Sequence, residues 1–386
     1  MSNTVHTARW LAQLSGEGHE LHLFAVGQGV PHPELSGVTL HSLLWQTSTK
    51  QPELKRLGVP WPFKRGISAA FNSLEAHVPG LAPAQRLART IRHLKPDLVH
   101  VLHMQHAGYL TSAALELLEP HQVPRVAYSS WGSDMYYYGK MPDHAPRIRA
   151  LLARADYYIA DCRRDVALAV EFGFRGQTLG VFPVGGGYDL PAVRAHLSAD
   201  APAKRRAIAL KGYHQSNWAG RALVGLHAIQ LCADVLGDYE VVVFSATPNT
   251  HHAAEFLART TGLRVTLMPT ASHDEMFSLL GRCRVSIGLS ITDGTPNAML
   301  EAMILGALPL QSDTVSTAEW IDDGKNGLLV PPEDAAAVAT ALRRAVTDDA
   351  LVDQAARLNW TLADERLSRE PMRQAVLAAY RQMAQR

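Results

Sequence analysis

RVSIGLSITDGTPNAMLEAMILGALPLQSD, residues Arg284 to Asp313, reads as a strand, a loop, a helix and a second strand. The apolar run Arg284 to Ser290 has the length and β-branched content of a strand, and so does Ala307 to Ser312. Asn297 to Leu305 between them has helical composition, so the two strands are expected to run parallel through a helical crossover. Thr295 is placed to cap that helix and Pro296 suits its first turn. Gly294 lets the backbone approach a ligand closely. The helix N-terminus then offers unpaired N–H groups and a positive dipole end, suited to phosphate or sugar oxygens. Asp293 lies in the loop before the helix, and Glu301 follows eight positions later, about one and a half turns into it. An ionised carboxylate accepts several hydrogen bonds at once, so this pair suits vicinal hydroxyls, one set on a sugar and one on a ribose.

Outward from this segment the same alternation recurs. Arg206 to Gly212, Tyr239 to Ser245, Arg264 to Pro269 and Gly327 to Pro332 read as further strands, each followed by a helix-like stretch. In the first half, strands are expected at Glu20 to Val26, Gly37 to Trp45, Asp97 to His103, Arg125 to Ser130 and Tyr157 to Asp161. Helices are expected over Ala84 to Leu94 and from about Tyr109. The Gly- and Pro-rich stretch VFPVGGGYDLPAV (Val181 to Val193) interrupts the series and marks a hinge. The predicted fold class is α/β: two tandem Rossmann-like, doubly wound domains facing across a cleft. Their expected extents are 1–190 and 191–368, with a C-terminal helix over 369–386 packing back on the first domain. Ligands of such sheets collect at the carboxyl ends of the strands. The first domain lacks one expected part: helical spacing begins almost at once (ARWLAQLSGEG), where a buried opening strand is the rule.

Composition bounds the function. A chain of 386 residues is long enough for two cores, and a net charge of +1 gives no general drive toward nucleic acid or anionic lipid. No apolar run reaches the roughly 20 residues of a membrane-spanning helix, and MSNTVHTARW has no apolar signal core. Cys162, Cys232 and Cys283 are odd in number and scattered, which reads as reduced, buried cysteines in a cytoplasmic protein. No metal-ligand spacing is visible, nor a DxD pair after a strand. The exception to neutrality is KQPELKRLGVPWPFKRG (Lys50 to Gly66), where Lys50, Lys55, Arg56, Lys64 and Arg65 interleave with Trp61 and Phe63. It reads either as a peripheral membrane or lipid-acceptor patch or as a solvated loop.

The pattern acid–Gly–x–Pro–x–x–x–x–Glu–Ala–Met–x–x–Gly from Asp293 to Gly306 resembles the E-x7-E motif of family 4 GT-B retaining glycosyltransferases (glycosyl transferases group 1), with Asp293 in place of the first glutamate. The resemblance implies that Glu301 holds the ribose hydroxyls of a nucleotide sugar, while Asp293, Gly294, Thr295, Pro296 and Asn297 hold the donor sugar. Lys211 and Arg221, in LKGYHQSNWAGRALVGL, are the cations available for the donor diphosphate, at a spacing that departs from the family's. The loop before TASHDEMFSLL, where Ser272 and Glu275 have capping-box spacing, is where the family packs the base. In PDLVHVLHMQHAGYL, His103 falls on the family's active-site histidine, with His100 and His106 as neighbours. Gly132, Ser133 and Asp134 in SSWGSDMYY match a segment that would line the acceptor pocket. His6 and Arg9 lie where the family's first catalytic loop is cut short.

The resemblance implies a metal-independent, retaining transfer of a sugar to a hydroxyl acceptor, a glycan or glycolipid, in cell-surface polysaccharide or glycoconjugate synthesis. The only small molecule required is the nucleotide diphosphate sugar, with no further cofactor. The expected location is cytoplasmic, with peripheral contact at the inner face of a membrane. A nucleotide-sugar epimerase of the same fold and a degenerate nucleotide-sugar-binding protein are the alternatives.

Overall fold

A computed structural model describes residues 4–26, 30–47, 54–63, 66–183, 185–214, 219–313 and 316–385. The chain divides into two compact units, Met1–Gly186 together with Arg373–Arg386, and Gly187–Met372. Gly186 and Gly187 both have φ near +75°, at 70° and 80°. A Cβ on Gly187 would stand 2.9 Å from the Arg369 backbone, so glycine is needed there for sterics as well as conformation.

The N-terminal unit begins with α1 (Val5–Ala12), β1 (His22–Phe24), β2 (Thr39–Gln46), β3 (Lys55–Trp61), α2 (Ile67–His77) and α3 (Pro83–Leu94). It continues with β4 (Leu98–Leu102), α4 (Tyr109–Leu115), β5 (Arg125–Ser129), α5 (Ala145–Leu152), β6 (Tyr157–Ala160), α6 (Arg163–Glu171) and β7 (Gln177–Val181). All pairing is parallel, but it forms two sheets, β1-β2-β3 and β4-β5-β6-β7, where the sequence predicts one doubly wound sheet. Among the described residues no strand precedes α1 and no pairing joins β1 to β4. A parallel sheet grows only by main-chain pairing between neighbours, so it ends wherever a strand has none.

The basic stretch after Lys50 contains an edge strand rather than a loop alone: β3 pairs with β2 from Thr39↔Lys55 to Gln46↔Trp61. It leaves Leu57, Val59 and the following Phe63 exposed. Lys50, Lys64 and Arg65 lie outside the described residues.

The second unit holds α7 (Leu190–Arg194), β8 (Ala207–Lys211), α8 (Ala222–Leu231), β9 (Glu240–Phe244), α9 (Pro248–Thr261), β10 (Arg264–Met268) and α10 (His273–Arg282). After these come β11 (Val285–Gly288), α11 (Asn297–Ile304), β12 (Leu308–Ser312), β13 (Leu328–Val330), α12 (Ala335–Thr347), α13 (Asp349–Arg366) and α14 (Arg369–Ala384), with the boundary after Met372 falling inside α14. Its six strands form one parallel sheet in the order β10-β9-β8-β11-β12-β13. Side chains alternate along each strand. Ile208, Leu210, Val241 and Val243 join the core under α8, α9 and α12, while Ala207, Ala209, Val242 and Phe244 join the one under α10 and α11. The strand order reverses between β8 and β11, so the loops leaving those two strands part and open a crevice at their carboxyl ends.

All three cysteines are free and buried. Among the described residues no helix is long and apolar enough to cross a membrane.

The C-terminal part of α14 packs inside the N-terminal unit, where Val376, Leu377, Tyr380 and Met383 share a core with Trp10, Leu14, Tyr157 and Ile159. Trp10 Nε1 donates to Tyr380 Oη (2.9 Å), which lies 2.5 Å from His100 Nδ1, and His100 Nε2 lies 2.8 Å from Ser129 Oγ. Both ring nitrogens of His100 are thereby engaged, and burial pushes its pKa down to about 4. An unfolded chain protonates the same ring near its ordinary value of about 6.5. Protonation therefore favours the unfolded state between those limits, and the contribution of His100 is lost as pH falls from 6.5 toward 4. Thermal midpoints of the wild type and His100→Gln, measured from pH 4 to 7, should diverge in favour of the wild type as pH rises. Parallel curves would refute this account.

Candidate active site

The second unit brings Asp293, Glu301 and Lys211, three of the residues singled out in the sequence, to the loop after β11 and the helix behind it. After β11 the chain passes through Ser290 to Pro296 before entering α11. Ser290 N donates to Ser312 Oγ (2.7 Å), Ser290 Oγ to the Thr292 carbonyl (2.7 Å) and Ser316 Oγ to the Gly294 carbonyl (2.6 Å). These bonds tie the loop to β12 and to the turn after it. Asp293 Oδ1 accepts from Gly294 N (2.9 Å), and its other oxygen lies 4.0 Å from Lys211 Nζ. Both side chains keep about a third of their surface exposed, at 32% and 28%. An acid and a base of that exposure remain available to a ligand.

The helix begins at Asn297, where helical composition begins, but its cap differs from the expectation. Pro296, not Thr295, is the N-cap, with extended backbone and no side-chain cap; its carbonyl accepts from Met299 N (3.1 Å) and Leu300 N (3.2 Å). A proline there has no N–H to leave unpaired. Gly294, Thr295 and Pro296 are buried and Asn297 is half-buried, so backbone rather than side chains dominates this rim.

Glu301 is 5% exposed on a helix whose other residues from Met299 to Ile304 are buried and apolar. Burying a carboxylate there requires partners. Tyr188 Oη donates to Glu301 Oε1 across 3.5 Å, and His273 Nδ1 lies 3.8 Å from the same oxygen. Neither residue is expected at the site from the sequence. Tyr188 sits in the Gly-rich stretch GGGYDL, where its N–H donates to the Leu367 carbonyl (2.8 Å). His273 is the first residue of α10, just inside the Ser272–Glu275 capping box. That box forms as read, with Glu275 N donating to Ser272 Oγ (3.3 Å) and Ser272 N to Glu275 Oε2 (2.7 Å). A histidine beside a capping box after a strand was the available clue.

The loop after β8 carries the two cations to different places. Lys211, at the strand end, faces Asp293 and stands 5.1 Å from the centroid of the Tyr213 ring. Gly220 bridges to Ser290 and His214 to Arg221, drawing the loop's return against the end of β11. A Cβ on Gly220 would fall 2.1 Å from the Tyr213 carbonyl, so only glycine permits that approach. Arg221 caps α8, and its guanidinium pairs with Glu333 (3.0 Å) and the Gly220 carbonyl (3.0 Å). Unlike Lys211, it is held by an acid outside the Asp293 loop.

In the N-terminal unit, His103 follows β4 and precedes a π-helical turn, Met104–Gly108. Its φ is +75°, its ring stacks on His106 (centroids 5.6 Å apart, 14° between planes), and burial pushes its pKa down to about 4. His106 is exposed, whereas His100 is engaged beneath α14 as described. Gly132 and Ser133 are half-buried, and their carbonyls accept from Arg164 Nη2 (3.1 Å) and Tyr137 N (3.2 Å) respectively. Asp134 does not line a pocket: it is 0% exposed and turns inward to the donors of neighbouring turns. His6 packs edge-on against Trp131 (6.0 Å) and Arg9 pairs with Glu34 (3.4 Å). Asp161, Cys162 and Asp165, all buried, bring potential ligand atoms within 4.8 Å of one another, but Arg164 already pairs with Asp165 at 2.8 Å.

Comparisons with known proteins bear on both units. Residues 217–348 match the family Glycosyl transferases group 1, and residues 67–161 match Glycosyl transferase 4-like. No protein of curated function matches the chain in sequence. Among solved structures, Anabaena HepE in complex with UDP and glucose superposes with a TM-score of 0.65 at 15% identity, over 94% of this chain and 100% of that one. Sucrose-phosphate synthase from Thermosynechococcus elongatus gives 0.65 at 16% identity, over 95% and 99%. A glycosyltransferase from Rickettsia africae gives 0.65 at 14% identity, over 99% and 94%. At such identities the superpositions speak for the fold alone. The chain thus has the GT-B fold of glycosyltransferases, with a group 1 domain over residues 217–348 and a glycosyl transferase 4-like domain over residues 67–161.

Proposed function

We propose that the chain transfers a sugar, with retention and without a metal, from a nucleoside diphosphate sugar to a hydroxyl acceptor. The observation that carries this reading is the crevice where the strand order reverses. There Asp293, the start of α11 and Lys211 converge, while Glu301 is buried on the same helix beside Tyr188 and His273. In this reading Glu301 accepts from the ribose hydroxyls, and Asp293 with the backbone of Gly294 to Asn297 holds the sugar. Lys211 and the N–H groups opening α11 meet the diphosphate. Arg221 joins them only by releasing Glu333, a cheap exchange for an exposed ion pair. His103 is the group of the N-terminal unit read as touching substrate.

During transfer the bond from the anomeric carbon to the phosphate oxygen breaks and a bond to the acceptor oxygen forms on the same face. The acceptor proton passes to the departing phosphate oxygen, so no protein base is required. The negative charge gained by the diphosphate is the charge that Lys211 and the helix start stabilise. The nucleotide-sugar complexes among proteins of this fold support the donor class: HepE has been seen with UDP-glucose, and a pneumococcal O-GlcNAc transferase with UDP and GlcNAc. The acceptor is proposed to be a glycan or lipid-linked glycan of a cell-surface polysaccharide or glycoconjugate, met on the cytoplasmic side.

A thermal-shift screen against UDP, GDP and ADP identifies the nucleotide. Glu301→Ala and Glu301→Gln should then lower nucleotide release from the matching sugar donor by about 100-fold or more, at an unchanged far-UV spectrum. Normal turnover in either folded variant sinks the assignment. Free sugar product without acceptor would favour an epimerase, and binding without turnover a degenerate binding protein.

The membrane-facing proposal rests on β3 and its flanks. Residues 50–66 hold five cations against one acid, and Leu57, Val59 and Phe63 are exposed beside Lys55 and Arg56. Sedimentation with phosphatidylcholine vesicles containing phosphatidylglycerol should pull down the wild type and lose most of the double variant Lys55→Glu/Arg56→Glu. Equal partition of both proteins, or no preference for the anionic lipid, overturns that contact.

A further inference from the structure

The buried carboxylate of Asp134 has contacts that its place in a pocket-lining segment did not anticipate. Its Oδ2 accepts from three donors: Trp131 N (3.0 Å), Met104 N (2.9 Å) and Tyr128 Oη (2.8 Å). The Gln105 side-chain amide donates to the Asp134 carbonyl (2.8 Å). One residue thus bonds the turn after β5 to the turn after β4. Its second oxygen, Oδ1, faces His103 Nε2 at 3.4 Å. His103 is in a region of φ and ψ (75°, 135°) that is strained for a non-glycine residue, and such strain persists only where the surroundings over-determine it. The bonds through Asp134, together with His103 N donating to the Ser129 carbonyl (3.2 Å), are those surroundings. His103 Nδ1 is buried without a hydrogen-bond partner among the described residues, a cost that a donor hydroxyl on a ligand would relieve.

We propose that Asp134 is a positioning residue that selects the tautomer of His103. With the carboxylate ionised, Oδ1 accepts the Nε2 proton and leaves the Nδ1 lone pair for a substrate hydroxyl. Because Oδ2 is filled by three donors, a proton taken up by Asp134 goes to Oδ1, which then donates to Nε2 and moves the ring proton to Nδ1. Burial raises the Asp134 pKa to about 7, although the three hydrogen bonds pull it back, while His103 stays neutral down to about 4. The exchange therefore falls near neutral pH. The titratable groups facing Asp134 are His103 and His106 from the turn after β4, Tyr109 from α4, Tyr128 from β5 and Asp165 from α6.

The test is ligand-free: imidazole nitrogen shifts of the full chain labelled with 15N-histidine, with His103 identified by its loss in His103→Gln. The wild type should show His103 protonated on Nε2 above about pH 8 and on Nδ1 below about pH 6. In Asp134→Asn the amide oxygen keeps the three donors and the amide nitrogen faces Nε2, so the Nδ1–H form should persist at every pH. One unchanging tautomer in the wild type, or a variant that switches as the wild type does, overturns the inference. Should Asp134→Asn fail to fold, Tyr128→Phe removes one donor from Oδ2 and should move the wild-type midpoint to higher pH; an unmoved midpoint is equally fatal. The consequence for turnover rests on the reading of His103 as a substrate contact. With UDP-glucose as donor, Asp134→Asn should lose about 100-fold in kcat with about threefold or less change in KM. Undiminished turnover by His103→Ala would defeat that reading and leave the tautomer result standing by itself.

Discussion

The reversal of strand order at β8 and β11 is the constraint on which the second unit's chemistry depends. All strands of a parallel sheet point their carboxyl ends the same way, and each must be followed by a crossover to one face or the other. Where successive crossovers change face, two loops leave adjacent strands in opposite directions and nothing fills the space between them. Lys211 ends one of those strands and Asp293 follows the other, so residues 82 positions apart come within 4.0 Å. The close approach at Gly220 and the serine bonds to Gly294 and Thr292 then hold the two loops while the side chains of Lys211 and Asp293 stay partly exposed.

Two buried carboxylates illustrate different solutions to one problem. Asp134 has three donors on one oxygen and remains pushed toward its neutral form by burial, which makes it an organiser of turns. Glu301 has longer contacts, 3.5 Å to Tyr188 and 3.8 Å to His273, on a helix otherwise buried and apolar.

Much of the architecture was legible from local pattern. The strands from β8 to β13 and the helices between them lie close to where apolar, β-branched runs, turn residues and capping pairs put them, and the Ser272–Glu275 box forms as spelled. The acid–Gly–x–Pro–x4–Glu spacing also survives folding, because eight positions spanning a loop and a helix start are a local distance. Less legible were the places where a residue answers to distant neighbours. GSD reads in sequence as a pocket wall, and only the donors from Met104 and Tyr128 show that its aspartate turns inward. Arg221 carries the right charge, yet Glu333 beyond β13 holds it. Basic, aromatic residues 50–66 look like a loop in isolation, and pairing with β2 makes part of them a strand.

By itself, the sequence determined the α/β alternation and the interruption near Gly186, which follow from spacing and residue type within one or two elements; it singled out the acid pair by spacing and the histidine after β4 by a family resemblance. Tertiary structure alone decided that the N-terminal unit carries two sheets, that Tyr188 and His273 converge on Glu301, and that Asp134 faces His103 instead of solvent. The reason is physical: periodicity is a property of neighbouring residues, whereas burial and partner choice depend on which distant segments the chain brings together.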